Sequence, residues 1–252
     1  WKVGFLGSTE AVSAVAEVLS AYPDVPLVSY LPNLAWVEED DQQAYLDAFR
    51  ELVLPQTDVP TAAALSVAAK FRNAGQICTS PTRFFVHESI ATSFIDAFAA
   101  GASALEVGNG LEPGIAMGPL SNARRLAEVE ALVNDAVERG ARLVCGGRRL
   151  ERAGHFHAPT LLVDVPTEAR IMREEPFGPV AIVNRWSRLD DAVDAANGLP
   201  YGLAAYLFTR DLGLAHRVAA RLEAGMVGVN QFGISQPETP FGGVKESGLG
   251  SE

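Results

Sequence analysis

Two rhythms of apolar residues run along the chain. Short apolar runs bounded by Gly, Pro or charged residues read as strands: 2–6 (KVGFL), 27–31 (LVSYL), 83–87 (RFFVH), 141–147 (ARLVCGG), 157–165 (HAPTLLVDV), 178–186 (GPVAIVNRW), 202–209 (GLAAYLFT) and 226–230 (MVGVN). Between them, apolar residues recur three and four apart, the spacing that places them on one face of a helix. Helices are predicted over 10–22, 38–54, 59–72, 89–105, 121–139, 189–199 and 211–225, with a short helical piece at 168–175. The punctuation agrees. Asp40 and Asp41 open the second helix, where the macrodipole favours negative charge. Pro60 falls in the first turn of the third. Gly140, Gly198 and Gly225 follow helical runs, and Gly225 is expected to cap the last one. The stretches 108–120 and 237–252 are rich in Gly and Pro and read as loop. Strands alternating with helices predict an α/β fold with a mostly parallel sheet and flanking helices.

Composition narrows the partners. The chain has 252 residues, 48% of them apolar and 20% charged, enough for a sizeable core. A net charge of −11 repels a phosphate backbone, and Lys and Arg form no basic stripe, so nucleic acid is not an expected partner. No apolar run is long enough for a membrane span, so no membrane partner is expected. Two cysteines, Cys78 and Cys145, make neither a disulfide framework nor a zinc pattern. They point to a reducing, cytoplasmic setting.

Few residues stand out as chemistry. Gly7-Ser8-Thr9 lies between a strand and a helix, where free N–H groups suit a phosphate and equally make an ordinary cap. Cys78 follows Gly75-Gln76-Ile77 and precedes Thr79-Ser80, between a helix and a strand. That setting suits a thiolate presented to a carbonyl; it also suits a small buried hydrophobe. Cys145, inside an apolar run, reads as core. Glu174 and Glu175 precede Pro-Phe-Gly-Pro, a stiff turn that would hold Glu175 and Phe177 in set directions, or simply end a charged helix. Phe241 sits in a glycine-rich loop whose entropy is costly unless its shape is used. His87, His155, His157 and His216 are scattered without metal-ligand spacing, so no metal is expected.

In order, FLGSTE, KFRNAGQICTSPTRFFVHESI, MGPL, REEPFGPV, YGLAAYLFTRD, GMVGVN and PETPFGGVKESGLGSE resemble the aldehyde dehydrogenase superfamily, and most of all its NAD(P)-dependent succinate-semialdehyde dehydrogenase-like members. The resemblance covers 58–252 almost continuously, with 1–20 as a shorter block. It implies a partial dinucleotide-binding domain at 1–55 and a catalytic domain at 56–252. It implies NAD or NADP as cofactor, an aldehyde substrate and a homo-oligomer, dimer or tetramer. By the same resemblance Cys78 is the nucleophile, passing through a thiohemiacetal and a thioester, with its backbone N–H in the oxyanion hole. Glu175 matches the residue that binds the nicotinamide ribose, Phe177 lines that region, and Gly7 and Ser8 match the pyrophosphate turn. Phe241 borders the substrate tunnel. Arg72 matches an arginine that grips a distal carboxylate, its guanidinium expected to be buried or half-buried, and Ser235 is its hydroxyl partner.

The family's Leu-Glu-Leu-Gly-Gly segment, whose Glu activates the hydrolytic water, has no counterpart in the sequence, and the first part of the cofactor domain is absent too. Glu51 is nearest in character to the missing base. That departure leaves two alternatives beside an oxidising enzyme: a structural relative that keeps the fold without turnover, and an aldehyde dehydrogenase that transfers the acyl group to coenzyme A.

Overall fold

The computed structural model describes residues 58–237 and 239–250, together with the backbone of two short strands nearer the N-terminus. Those strands, β1 (Lys2–Val3) and β2 (Val28–Ser29), pair in parallel. The helices read at 10–22 and 38–54, with Gly7, Ser8 and Glu51, lie outside the described residues. The chain forms two compact units: Val59–Leu199, and Trp1–Asp58 with Pro200–Glu252.

The first unit is built on four strands: β3 (Arg83–His87), β4 (Arg142–Cys145), β5 (Thr160–Val163) and β6 (Val180–Trp186), in the order β3-β6-β5-β4. β3 and β5 run parallel to β6; β4 runs antiparallel to β5, with a register shift between Leu143 and Cys145. β5 is buried throughout, as are the first four residues of β6, which explains their unbroken apolar sequences. The edge strands β3 and β4 are more exposed and carry Arg83, His87 and Arg142.

Four helices of this unit fall where the periodicity placed them. α1 (Val59–Phe71) packs on α2 (Glu88–Ser103), and α2 touches all four strands of the sheet. α3 (Ala123–Glu138) starts with Asn122 accepting from Arg125 N–H and ends with Ala141 N–H bonding Ala136 O and Gly140 N–H bonding Val137 O. Gly140, at φ 106, is the left-handed residue such a closure needs. α4 (Leu189–Asn197) is stopped by Arg83, whose guanidinium donates to Ala195 O and Ala196 O.

The second unit contains β7 (Tyr201–Gly202), β8 (Ala204–Leu207), α5 (Leu212–Ala219), β9 (Met226–Val229) and β10 (Val244–Lys245). β8 and β9 pair in parallel, β7 and β10 antiparallel. The expected helix to Gly225 stops at Ala219. Gly225 is instead committed elsewhere: its N–H bonds Gly202 O, and a Cβ there would stand 2.1 Å from Gly242 O, so the chain must leave the helix early to bring the two backbones together. Among the described residues no helix is long and apolar enough to cross a membrane.

Phe98 of α2 is sealed from solvent at 0% exposure and meets the rings of Phe71, Phe84 and Phe94 at 5.9, 5.5 and 5.9 Å between centroids. Removing a ring from such a cluster loses its burial and leaves a cavity. Phe98→Ala is expected to destabilise the protein by about 3–5 kcal/mol, read as a lowered denaturation midpoint at unchanged slope.

Candidate active site

The last turn of α1 hands the chain to a tight turn, Arg72–Gly75, in which Asn73, Ala74 and Gly75 take φ values of 50, 54 and 71°. Three consecutive left-handed residues are costly for anything but Gly, and Asn tolerates the conformation best. The turn is held by several bonds. Gln76 N–H donates to Asn73 O, and Asn73 Nδ2 donates back to Gln76 O, each at 3.1 Å. The Gln76 side chain goes further: Nε2 donates to Asn73 O and Pro119 O, and Oε1 accepts from Ser121 N–H at 2.8 Å. The Gly- and Pro-rich loop that ends in MGPL is thereby tied to the turn.

Cys78 follows, in a β-turn closed by Ser80 N–H on Ile77 O at 2.9 Å. Its thiol is exposed, so it does not serve as a small buried hydrophobe. Its backbone N–H has no acceptor among the described residues, as befits the second position of a β-turn, and is free to meet a developing oxyanion. Cys145, by contrast, is half-buried, and burial pushes its thiol up from the ordinary range.

The second half of the site is the turn after Glu174. The two adjacent acids have separate fates. Glu174 takes a two-pronged contact from Arg170 at 2.9 and 2.8 Å. Glu175 makes no hydrogen bond or salt bridge among the described residues, leaving both carboxylate oxygens open. Phe177 sits at φ 42, an unusual conformation for an aromatic residue, which turns the chain sharply before β6. Arg125 of α3 donates to Pro176 O at 3.3 Å and braces the turn.

The two halves meet through glycine. A Cβ on Gly75 would stand 2.2 Å from Gly178 O, and one on Gly178 would stand 2.5 Å from Val129 Cγ2 of α3. Neither position has room for a side chain: Gly75 packs backbone against backbone on the Glu175 turn, and Gly178 is closed off by α3.

Lys70, 1% exposed, lies on the inner face of α1, its Nζ donating to Thr82 Oγ1 at 3.2 Å. Burial lowers its amine from 10.5 to about 7, opposed by the charge of Glu175. Glu175 is exposed, and the protein packed on one side of it raises its carboxyl, opposed by the charges of Lys70 and then Arg125. Lys70, Arg125 and the Gly75–Gly178 contact do not stand out on a first pass through the sequence. A signal for Lys70 exists: it extends the buried series Ala63, Ser66, Val67, the one cation in a helix that is otherwise apolar or small on every face.

Arg72 lies in the same unit, at the start of the turn, six residues before Cys78. Contrary to expectation its side chain is exposed, because the turn has already left the helix's packed face, and it has no hydrogen-bond or ion-pair partner among the described residues. Ser235 and Phe241 belong to the other unit, and both are exposed, Phe241 at 36%. Among the described residues no group of three His, Cys, Asp or Glu is arranged to hold a metal.

Gly75→Ala tests the backbone contact. Gly140→Ala carries only the conformational cost of a positive φ, with nothing within 4 Å of the new methyl, about 1–2 kcal/mol. Gly75→Ala carries that cost plus collision with a carbonyl. It is expected to lower stability clearly more than Gly140→Ala in parallel denaturation, and to change the rate at which Cys78 reacts with a thiol reagent, which Gly140→Ala leaves alone.

Residues 50–252 match the model of the aldehyde dehydrogenase family. The chain is 50% identical over 201 residues to 4-(hydroxymethyl)benzenesulfonate dehydrogenase TsaD1 of Comamonas testosteroni, covering 80% of this chain and 42% of that protein. It is 43% identical over 201 residues to the NADP(+) succinate-semialdehyde dehydrogenase GabD of Escherichia coli K12, again with 80% and 42% covered. The crystal structure of succinate-semialdehyde dehydrogenase from Burkholderia pseudomallei superposes with a TM-score of 0.76 at 37% identity, covering 95% of this chain and 52% of that one. The chain thus spans less than half the length of these two curated relatives. With most of its length matched by the family model, the chain belongs to the aldehyde dehydrogenase family.

Proposed function

We propose that the protein oxidises an aldehyde to the corresponding acid, with NAD or NADP as acceptor and Cys78 as nucleophile. The observation that carries this is the exposed Cys78 turn, with its free N–H, locked against the turn that presents an unpaired Glu175. The residues fit the cofactor. An open carboxylate is the acceptor that a pair of ribose hydroxyls requires, and Glu175 has both oxygens unengaged among the described residues. Glu175 would hold the nicotinamide ribose, Phe177 would line the same region, and Gly7 and Ser8 would meet the pyrophosphate. When bound, the dinucleotide supplies the two-electron acceptor.

The chain's own residues do the rest. The Cys78 thiolate forms a bond to the carbonyl carbon, and the Cys78 N–H receives the negative oxygen of the thiohemiacetal. Oxidation at that carbon leaves a thioester on Sγ. Water then cleaves it, releasing the acid and returning the thiol. In this reading 1–55 contributes part of the dinucleotide-binding domain and 56–252 the catalytic domain. The working protein is a cytoplasmic homo-oligomer.

The substrate we propose is a short semialdehyde with a distal carboxylate, succinate semialdehyde being the first to try. Arg72 would take the carboxylate, Ser235 would add a hydroxyl, and Phe241 would border the path to the thiol. An exposed guanidinium without a partner of its own is available to a ligand. The names of the relatives point the same way: a benzenesulfonate and a succinate semialdehyde each carry an anionic group.

Two measurements test the reading. Cys78→Ala, a small change at an exposed turn, should abolish aldehyde oxidation and leave thermal stability within about 0.5 kcal/mol of the parent; retained turnover excludes covalent catalysis at this residue. Arg72→Leu should raise KM for succinate semialdehyde by about five- to tenfold, the lower end for a charge contact because the guanidinium is screened. KM for an uncharged aldehyde of equal length should stay unchanged. Equal losses on both substrates would make Arg72 a support of the turn and remove the carboxylate assignment.

A further inference from the structure

The turn that carries Cys78 is pinned on its far side by a closed ring of hydrogen bonds. Ser80, two residues after the thiol, engages its N–H, its hydroxyl and its carbonyl. The N–H closes the turn on Ile77 O at 2.9 Å, the hydroxyl donates to Lys70 O at 3.4 Å, and the carbonyl accepts from Thr82 Oγ1 at 3.5 Å. Thr82 Oγ1 accepts in turn from Lys70 Nζ at 3.2 Å. Lys70 therefore reaches Ser80 twice, directly through its own carbonyl and again, by way of Thr82, through its amine.

Both anchors of the ring are fixed to the core. Lys70 is the sole lysine or arginine buried among the described residues. Its carbonyl lies in the last turn of α1, where helical carbonyls run out of partners along their own helix, and the Ser80 hydroxyl supplies one. Thr82 O accepts from Ile182 N–H at 2.9 Å, in the buried part of β6. The lysine also sets the direction of the ring. Thr82 has one hydroxyl proton; with an amine donating to its oxygen, that proton is left for Ser80 O. A methionine would fill the same space without burying a cation, but it would leave the Thr82 hydroxyl free to turn away.

Resting on the reading of Cys78 as the nucleophile, we propose that Lys70 is a positioning residue for it: acting through Thr82 and Ser80, the buried amine holds the Cys78 turn in the shape from which the thiol and the Cys78 N–H can act on one carbonyl group. The Gln76 amide fixes the near side of the turn, and Lys70 fixes the far side.

The test is amide hydrogen exchange of the intact chain without cofactor, followed at Ser80 N–H and, for reference, at Leu162 N–H in the buried strand β5. Lys70→Met should speed exchange at Ser80 about tenfold, the effect of one lost hydrogen bond, and should not speed it at Leu162. Thr82→Val should do the same, whereas Thr82→Ser, which keeps the hydroxyl, should exchange at the parent rate. Each single removal strands a polar partner, so Lys70→Met combined with Thr82→Val, which removes both, stands in where a single variant folds poorly. Exchange at Ser80 that is unchanged, or faster only in step with Leu162, overturns the proposal. In aldehyde oxidation Lys70→Met should lower kcat about tenfold at unchanged KM, and Thr82→Ser should keep the parent kcat. Faster exchange with unchanged kcat removes Lys70 from the reaction. Retained turnover in Cys78→Ala would sink the nucleophile reading beneath the proposal, whereas exchange at Ser80, which needs no substrate, decides the hold of Lys70 on the turn by itself.

Discussion

The contact between Gly75 and Gly178 is the constraint on which the candidate site depends. Two loops, one carrying a thiol and the other a carboxylate, approach so closely that Gly75 can bear no side chain against the Gly178 carbonyl. Everything near it follows. Asn73 and Ala74 take left-handed backbone so that Gly75 can reach the contact. Gln76 spends its whole amide holding that turn to the loop around Pro119. Phe177 adopts a positive φ on the other side. Strain in three non-glycine residues of two neighbouring turns is unlike ordinary loop geometry. It persists because the packed core beneath leaves the chain no cheaper arrangement.

Lys70 adds a second cost at the same place. Its ordinary value of 10.5 in the unfolded chain becomes about 7 in the fold. Between those two values the unfolded chain binds the extra proton, so the contribution of this residue to stability improves as pH rises through that window and is worst below it.

Much of the fold was legible in the sequence because one physical signal, apolar periodicity, decided it. β5 and β6 read as strands from unbroken apolar runs, since both their faces are covered. α2 and α3 read from their spacing, and Gly140 from its place after Glu138. The end of α5 was not legible: Ala220 to Ala224 continue a helical pattern, and only the long-range pairing of Gly225 with Gly202 and Gly242 interrupts it. In the site, Cys78 and Glu175 were visible as residue types in distinctive turns. The difference between Glu174 and Glu175 was not, because it depends on Arg170 reaching one acid and leaving the other. The exposure of Arg72 escaped for a similar reason. Its burial was expected from the carboxylate it was to grip, whereas its place in the turn after Phe71 leaves the side chain in solvent.

The division of the chain into units bears on the order in which the protein takes shape during synthesis. Lys70, Cys78, Arg125 and Glu175 all fall within Val59–Leu199, a single uninterrupted stretch. That stretch has all its strands and helices in hand once the ribosome has passed Leu199. The other unit groups Trp1–Asp58 with Pro200–Glu252, and within the second range Gly202 N–H bonds Ser247 Oγ and Glu246 N–H bonds Pro200 O. It must wait for the last segment to emerge. The thiol turn and its carboxylate partner can thus be assembled, with their strained backbone already under load, before the unit that carries Ser235 and Phe241 exists as a folded body.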